Sequence, residues 1–267
     1  QKTISGRNRR IPYELGLLRN LQVLQFSENL FDGEIPYSLY NMSSLATFSV
    51  TQNKLTGKLP PEMGVNLPNL EGLYMAQNYL YGSIPNSLRN ASRIQALDLS
   101  ANGFQGVLPL FGNWKDLTTV NLGFNSLSST NDLNYQLPSK VGNLSVNLRQ
   151  FCADVNNLSG RYPRGIENYR NLMVLSLYSN SFHGTIHSSS EVLTKLERLS
   201  LNQNMFFGNI PDKFENLSKL YEIIAGYNQF SGKIPKSIVF CERLAILGLA
   251  GNRLDGEISR TLETNQF

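Results

Sequence analysis

The sequence predicts a repeat solenoid, in which stacked turns of chain each give one short strand to a continuous parallel sheet. Three observations predict it. The stretch from Leu70 to Pro109 states one pattern twice at a step of 24 residues: Leu70, Leu73, Met75, Asn78, Leu80, Gly82, Ile84 and Pro85 recur as Ile94, Leu97, Leu99, Asn102, Phe104, Gly106, Leu108 and Pro109. The underlying frame, L-x-x-L-x-L-x-x-N, opens at Leu21, Leu45, Leu70, Ile94, Leu117, Leu148, Leu172, Leu196, Leu220 and Leu244, with its asparagine present in all ten units. The register holds throughout, so the 267 residues read as one array rather than two ordinary domains. The expected organisation is a single solenoid over 1–267, with a partial repeat at 1–20, about ten repeats over 21–267 and an irregular long repeat at 117–147.

Each column of the frame has a physical reason. The alternating part of L-x-x-L-x-L sends every second side chain the same way, as a short strand requires. The asparagine both donates and accepts, so turned inward it can satisfy backbone groups of neighbouring turns. Two residues beyond it stands Leu or Phe in every unit, and four beyond it Gly, except for Ser129 in the fifth. Glycine allows the positive-φ or close-packed bend that follows, and proline then holds an extended segment where no ladder donor is needed. One unit cannot bury its apolar edge alone; stacked units build a continuous core.

The fifth unit departs from the period. The step from Leu117 to Leu148 is 31 residues, with the excess in "SSTNDLNYQ". A looped insertion explains this, since solenoids tolerate insertions on one face; a splice across a missing turn, joining "NDLN" to "YQLPSKVGNLS", explains it equally well.

Composition sets further bounds. Apolar content of 41%, with no run approaching about 18 apolar residues, excludes a membrane span in this segment, and the absence of a signal peptide suggests a mature or excised piece. The net charge of +4 is mild and its lysines and arginines are scattered, which argues against nucleic acid as a partner. Cys152, at an outward strand position, and Cys241 are separated by three to four turns at roughly 4.8 Å each. That exceeds the Cα separation of about 7 Å that a disulfide tolerates, so two free thiols are expected. N-x-S/T acceptors occur at Asn41, Asn90, Asn143, Asn157 and Asn216. Asn41, Asn90, Asn143 and Asn216 precede the next strand by four or five residues and share one flank. This points to a secreted glycoprotein.

The 24-residue form with "GEIP", "GKLP", "GSIP", "GNIP" and "GKIP" resembles the plant-type extracellular leucine-rich repeat over essentially the whole chain. Phrases such as "NLFDGEIPYSLYNMSSL" and "MGVNLPNLEGLYMAQNYLYGSIPNSLRNAS" are similar to the ectodomains of plant receptor-like kinases, especially the pattern-recognition receptor group. The resemblance implies an α/β repeat solenoid: a right-handed leucine-rich-repeat superhelix with one parallel β-sheet on the concave face and irregular or 3-10 convex segments. It also implies a peptide or protein ligand on the inner sheet or its lateral edge, with a co-receptor as a further partner. The cysteine-bearing end caps, membrane helix and kinase of that family are missing from this sequence, as in an internal fragment.

No residue set carries catalysis, and no cofactor or metal is implied. His183 and His187 are spaced for a metal only on a helix, whereas the frame places them in the extended segment, with His187 in the proline column. Asp98 and Asp154 stand two units apart without the paired environment that acid–base chemistry needs.

Function therefore falls to the variable positions of the strands, which line a face of roughly 45 Å, from ten strands at about 4.8 Å each. This face is poor in charge, rich in amides and hydroxyls, and carries Tyr74, Phe124, Tyr178 and Tyr227. Aromatic anchors among adaptable polar groups are what recognition surfaces use. The four rings are the expected anchors, with Asp98, Asn121, Asp154 and Asn202 supplying hydrogen bonds. The expected function is the ligand-sensing ectodomain of a plant cell-surface receptor kinase, acting in immunity or development. The alternative is a secreted inhibitor of a wall-degrading enzyme, similar to polygalacturonase-inhibiting proteins.

Overall fold

The structure is a computed structural model that describes residues 9–108, 114–129, 147–162, 166–186 and 192–255. The L-x-L segments form one ten-stranded parallel sheet whose strands follow chain order from Val23–Gln25 to Ile246–Gly248. Equivalent residues of successive units pair with no slip: Leu97 lies opposite Leu73 on one side and Val120 on the other. A shift of one residue would turn the whole apolar set outward, so burial of one face fixes this register.

The sheet continues across the long fifth unit. The strand Thr119–Asn121 pairs directly with Gln150–Cys152, and the Leu127 N–H donates to Asn156 Oδ1 at 2.9 Å. The insertion and the splice readings both concern residues 130–137, which lie outside the described residues.

The asparagines form the expected ladder. Asn78 Nδ2 donates to the carbonyls of Val50, Met75 and Ala76 at 2.9, 3.2 and 3.2 Å. Its Oδ1 accepts the Leu55 N–H at 3.0 Å. One side chain thus closes its own turn and ties it to the preceding one.

That second bond has a consequence not expected from the sequence. By fixing the N–H two residues beyond the previous asparagine, it aligns the segments after the asparagines into strands. Two further five-stranded parallel sheets result, one from Asp32–Glu34 to Ser126–Ser128 and one from Ser159–Arg161 to Arg253–Leu254. Glycines at positive φ interrupt the alternation in these segments, Gly82 at 84° and Gly106 at 82° among them, which hides the strand signal.

Beyond the glycine column, prolines open short 3-10 turns. Pro36, Pro85 and Pro235, at φ of −56, −64 and −58°, precede Tyr37–Asn41, Asn86–Asn90 and Lys236–Phe240. The core lies between these layers and the inner sheet. Its spine is the Leu/Phe column two beyond the ladder asparagine: Phe182, Phe206 and Phe230 are fully buried and stack at centroid spacings of 6.3 and 6.2 Å.

Candidate ligand-binding site

The edge of the inner face is set by backbone conformation. The residue just before each ladder asparagine is left-handed, from Glu28 (φ 58°) through Phe124 (56°) and Val155 (47°) to Tyr227 (53°). The cause is the asparagine, whose amide reaches back to carbonyls two and three residues upstream and curls the chain there. Left-handed backbone costs an L-residue about 1–2 kcal/mol, which the ladder bonds offset. Phe124 and Tyr227 therefore stand in turns at the margin of the sheet, not on its strands as expected, and are 52% and 65% exposed.

The structure divides the eight candidate residues into a central cluster and three outliers. In the cluster, Asp98 Oδ1 accepts the Ser100 hydroxyl at 2.7 Å and the Ser100 N–H at 3.1 Å. Asn121 Nδ2 donates to Ser100 Oγ at 3.2 Å, and Asn121 Oδ1 accepts the Gly123 N–H at 3.3 Å. One turn on, Asp154 is not the outward strand residue that the frame suggested: it lies just past Gln150–Cys152 and is only 9% exposed. Its Oδ1 is buried and accepts no hydrogen bond. Burial raises the carboxyl pKa above its ordinary value, and the Ser176 hydroxyl and its own backbone N–H pull it part of the way back.

Phe124 and Tyr178, from the turns on either side, meet edge to face with centroids 6.3 Å apart. The Tyr178 phenol is pushed up by burial and then by the charge of Asp154. Ser100, Gly123, Val155 and Ser176 belong to this cluster but were not singled out from the sequence. Gly123 had a signal: it occupies the column of Asp154 one unit earlier, where a side chain would have crowded the carboxylate.

The other three stand apart. The Tyr74 ring lies across Gly72, where a Cβ would come within 2.6 Å of Cε2, and the Tyr227 ring lies over Gly251 at 2.8 Å. Asn202 is half-buried, and its backbone carbonyl accepts the Ser179 N–H at 2.9 Å.

Other sequence-derived candidates are placed as follows. Asn41 and Asn90 are exposed at the ends of 3-10 turns and Asn216 is exposed before the next strand, while Asn157 is exposed in the outer bridge to Ser128. Asn143 and His187 lie outside the described residues, and His183 sits half-buried in the outer strand Ser181–Gly184. Both cysteines are free and buried. Cys152 keeps the outward strand position that the frame gives it, in register with Asn121 and Ser176, but is buried there beside Gln150, whose Nε2 donates to its Sγ at 3.4 Å. Burial pushes both thiols up to about 11.

A parallel solenoid with an asparagine ladder between its turns has the architecture of a leucine-rich-repeat superhelix. The family described as Leucine Rich Repeat matches residues 20–42 and 195–217. Among solved structures, the chain is similar to a TDR receptor at 32% identity and a TM-score of 0.87, covering 95% of this chain and 43% of that one. It is similar to the plant peptide hormone receptor RGFR1, solved in complex with RGF2, at 30% identity and a TM-score of 0.85, covering 95% and 40%. It is also similar to the Arabidopsis receptor kinase HAESA, solved with the peptide hormone IDA and the co-receptor SERK1, at 32% identity and a TM-score of 0.75, covering 94% and 45%. The resemblance to plant leucine-rich-repeat receptor-kinase ectodomains is borne out. The chain spans less than half the length of each of these structures.

Proposed function

We propose that this chain is part of the ligand-binding extracellular domain of a plant cell-surface receptor kinase, and that its inner face binds an extended peptide or protein segment. The observation that carries this reading is the central cluster, where the exposed ring of Phe124 and the half-buried ring of Tyr178 stand beside a polar chain already ordered by its own hydrogen bonds. Such a surface offers apolar contact and directed polar groups at little further ordering cost. The similar receptors solved with a peptide hormone or a co-receptor support the choice of partner class. In this reading a membrane anchor and a cytoplasmic kinase belong to the parent protein, a co-receptor is a further partner, and the chain itself performs no chemistry. Its role lies in immunity or development. Glycans on Asn41, Asn90, Asn143 and Asn216 would leave the inner face bare, and peptide mapping of the secreted chain checks their occupancy.

The test is to immobilise the chain and screen it against a positional-scanning library of synthetic decapeptides. Peptides should be retained, with retention weakened by Tyr178→Ala and unaffected by Arg253→Ala on the outer strand. Retention that survives Tyr178→Ala but is lost with Arg253→Ala would move the site to the lateral face.

A further inference from the structure

We propose that Asp154 reads a positive charge on the ligand: its carboxylate receives a primary ammonium or guanidinium of an extended peptide, whose aliphatic stem lies against Phe124 and Tyr178. This rests on the peptide-binding reading above and adds the chemistry of one ligand residue.

Asp154 differs from the other polar groups around it. Asp98 and Asn121 are joined through Ser100, and Asn156 is held by four hydrogen bonds. Asp154 is 9% exposed, yet its Oδ1 is buried with no donor. An ionised carboxylate offers about four acceptor positions, and leaving them unmet away from water is costly. The groups that do act on it are the Ser176 hydroxyl and its own N–H, neither of which carries charge. Among the described residues no cation faces it.

Its shape suits one. A Cβ on Gly123 would lie 3.2 Å from Asp154 Oδ2, so glycine there keeps that flank of the carboxylate open. Phe124 and Tyr178 come from the turns before and after, and their rings meet across the turn that bears Asp154. An aromatic pair beside a carboxylate favours an organic cation twice, through ring faces and through charge. Asp98 adds to the negative potential, since it and Asp154 both act on Cys152.

The experiment uses the decapeptide library with Lys, Arg, norleucine or Glu fixed at each position in turn. The unmodified chain should retain Lys- or Arg-fixed pools over norleucine- and Glu-fixed pools by at least about tenfold at one position, as for a desolvated charge pair. Asp154→Asn, confirmed folded by circular dichroism, should bring that ratio close to one while leaving preferences at other positions intact. Gly123→Ala, which crowds the same carboxylate, should reduce the ratio as well and serves as the test should Asp154→Asn not fold. An unchanged cation preference in both variants overturns the inference, as does a native preference for Glu or norleucine. If the native chain retains no peptide at all, the peptide-binding reading itself fails and this inference falls with it.

Discussion

Asn156 and Asp154 lie two residues apart in the same turn, and each is 9% exposed. Burial is compensated for one and not for the other. Asn156 Nδ2 donates to the carbonyls of Leu122, Ala153 and Asp154 at 3.0, 3.2 and 2.9 Å, and its Oδ1 accepts the Leu127 N–H at 2.9 Å. Asp154 lends its backbone carbonyl to that network but leaves Oδ1 empty-handed. A buried polar group with every bond made is architecture; one that keeps a bond in reserve is where a ligand can gain. In this solenoid the two kinds sit side by side, because the frame dictates one position and leaves the other free.

The largest effect should follow from breaking the satisfied member. Asn156→Leu keeps the branched shape but strands the Leu127 N–H and takes one donor each from the Leu122, Ala153 and Asp154 carbonyls, and should destabilise by about 1–3 kcal/mol. Because turns stabilise one another mainly as neighbours, denaturant unfolding of this variant should also broaden or split into two steps. An unchanged midpoint would mean that the ladder is not what holds the turns together.

Between the two residues lies Val155, a β-branched residue at φ 47°. Asn tolerates this conformation far better, and Val155 is only half-buried. Val155→Asn should therefore stabilise by about 1 kcal/mol, measured by denaturant titration. A loss of stability would show that the valine methyls pack well enough to outweigh the strain.

How much of this was legible in the sequence follows the same division. The inner sheet, its register, the ladder and the Leu/Phe spine could be read because each is fixed by a column that repeats ten times. The two outer sheets could not, since their alignment comes from a side-chain bond between turns and their glycines break the alternation. At the site, residue type pointed to Phe124, Tyr178 and Asp154, but not to their relation. The left-handed turn that carries Phe124 to the margin arises from Asn125 reaching back to Leu122 and Gly123, which spacing alone does not reveal. The burial of Asp154 likewise depends on how neighbouring turns pack around its column, which the repeat frame leaves free.

A third effect tests the unsatisfied member through pH. The folded-state pKa of Asp154 is raised by burial, so the folded chain holds this proton more tightly than the unfolded chain does. The stability it contributes is fully present below the unfolded value, near about 3.9, and is lost as pH rises through the folded pKa. Asp98, Cys152, Ser176 and Tyr178 are the polar or titratable neighbours; the raised pKa values of Cys152 and Tyr178 keep both neutral across that window. Asp154→Asn should thus raise Tm at neutral pH, and the gain should fade as the acid window is entered. A variant that is more stable but blind to charged peptides would mark Asp154 as a functional group kept at a cost in stability. A gain that persists unchanged in acid would mean the substitution acts on packing and not on charge.

The smallest effect is expected at Tyr227, which separates a ring that is merely exposed from one that belongs to a site. Tyr227 is 65% exposed and its described partner is the glycine beneath it, so Tyr227→Ala should change stability by no more than about 0.5 kcal/mol. Tyr178→Ala should be similarly mild for folding but should weaken peptide retention by about 2 kcal/mol, because binding energy concentrates where rings and desolvated polar groups cluster. Among the described residues Tyr227 has neither a second ring nor an acid against it, and it lies two turns beyond Tyr178, so its removal should cost binding much less. Measured affinities for one retained peptide against both variants decide the matter. If Tyr227→Ala costs as much as Tyr178→Ala, the ligand spans both regions and the cluster around Asp154 is one contact among several rather than the centre of the site.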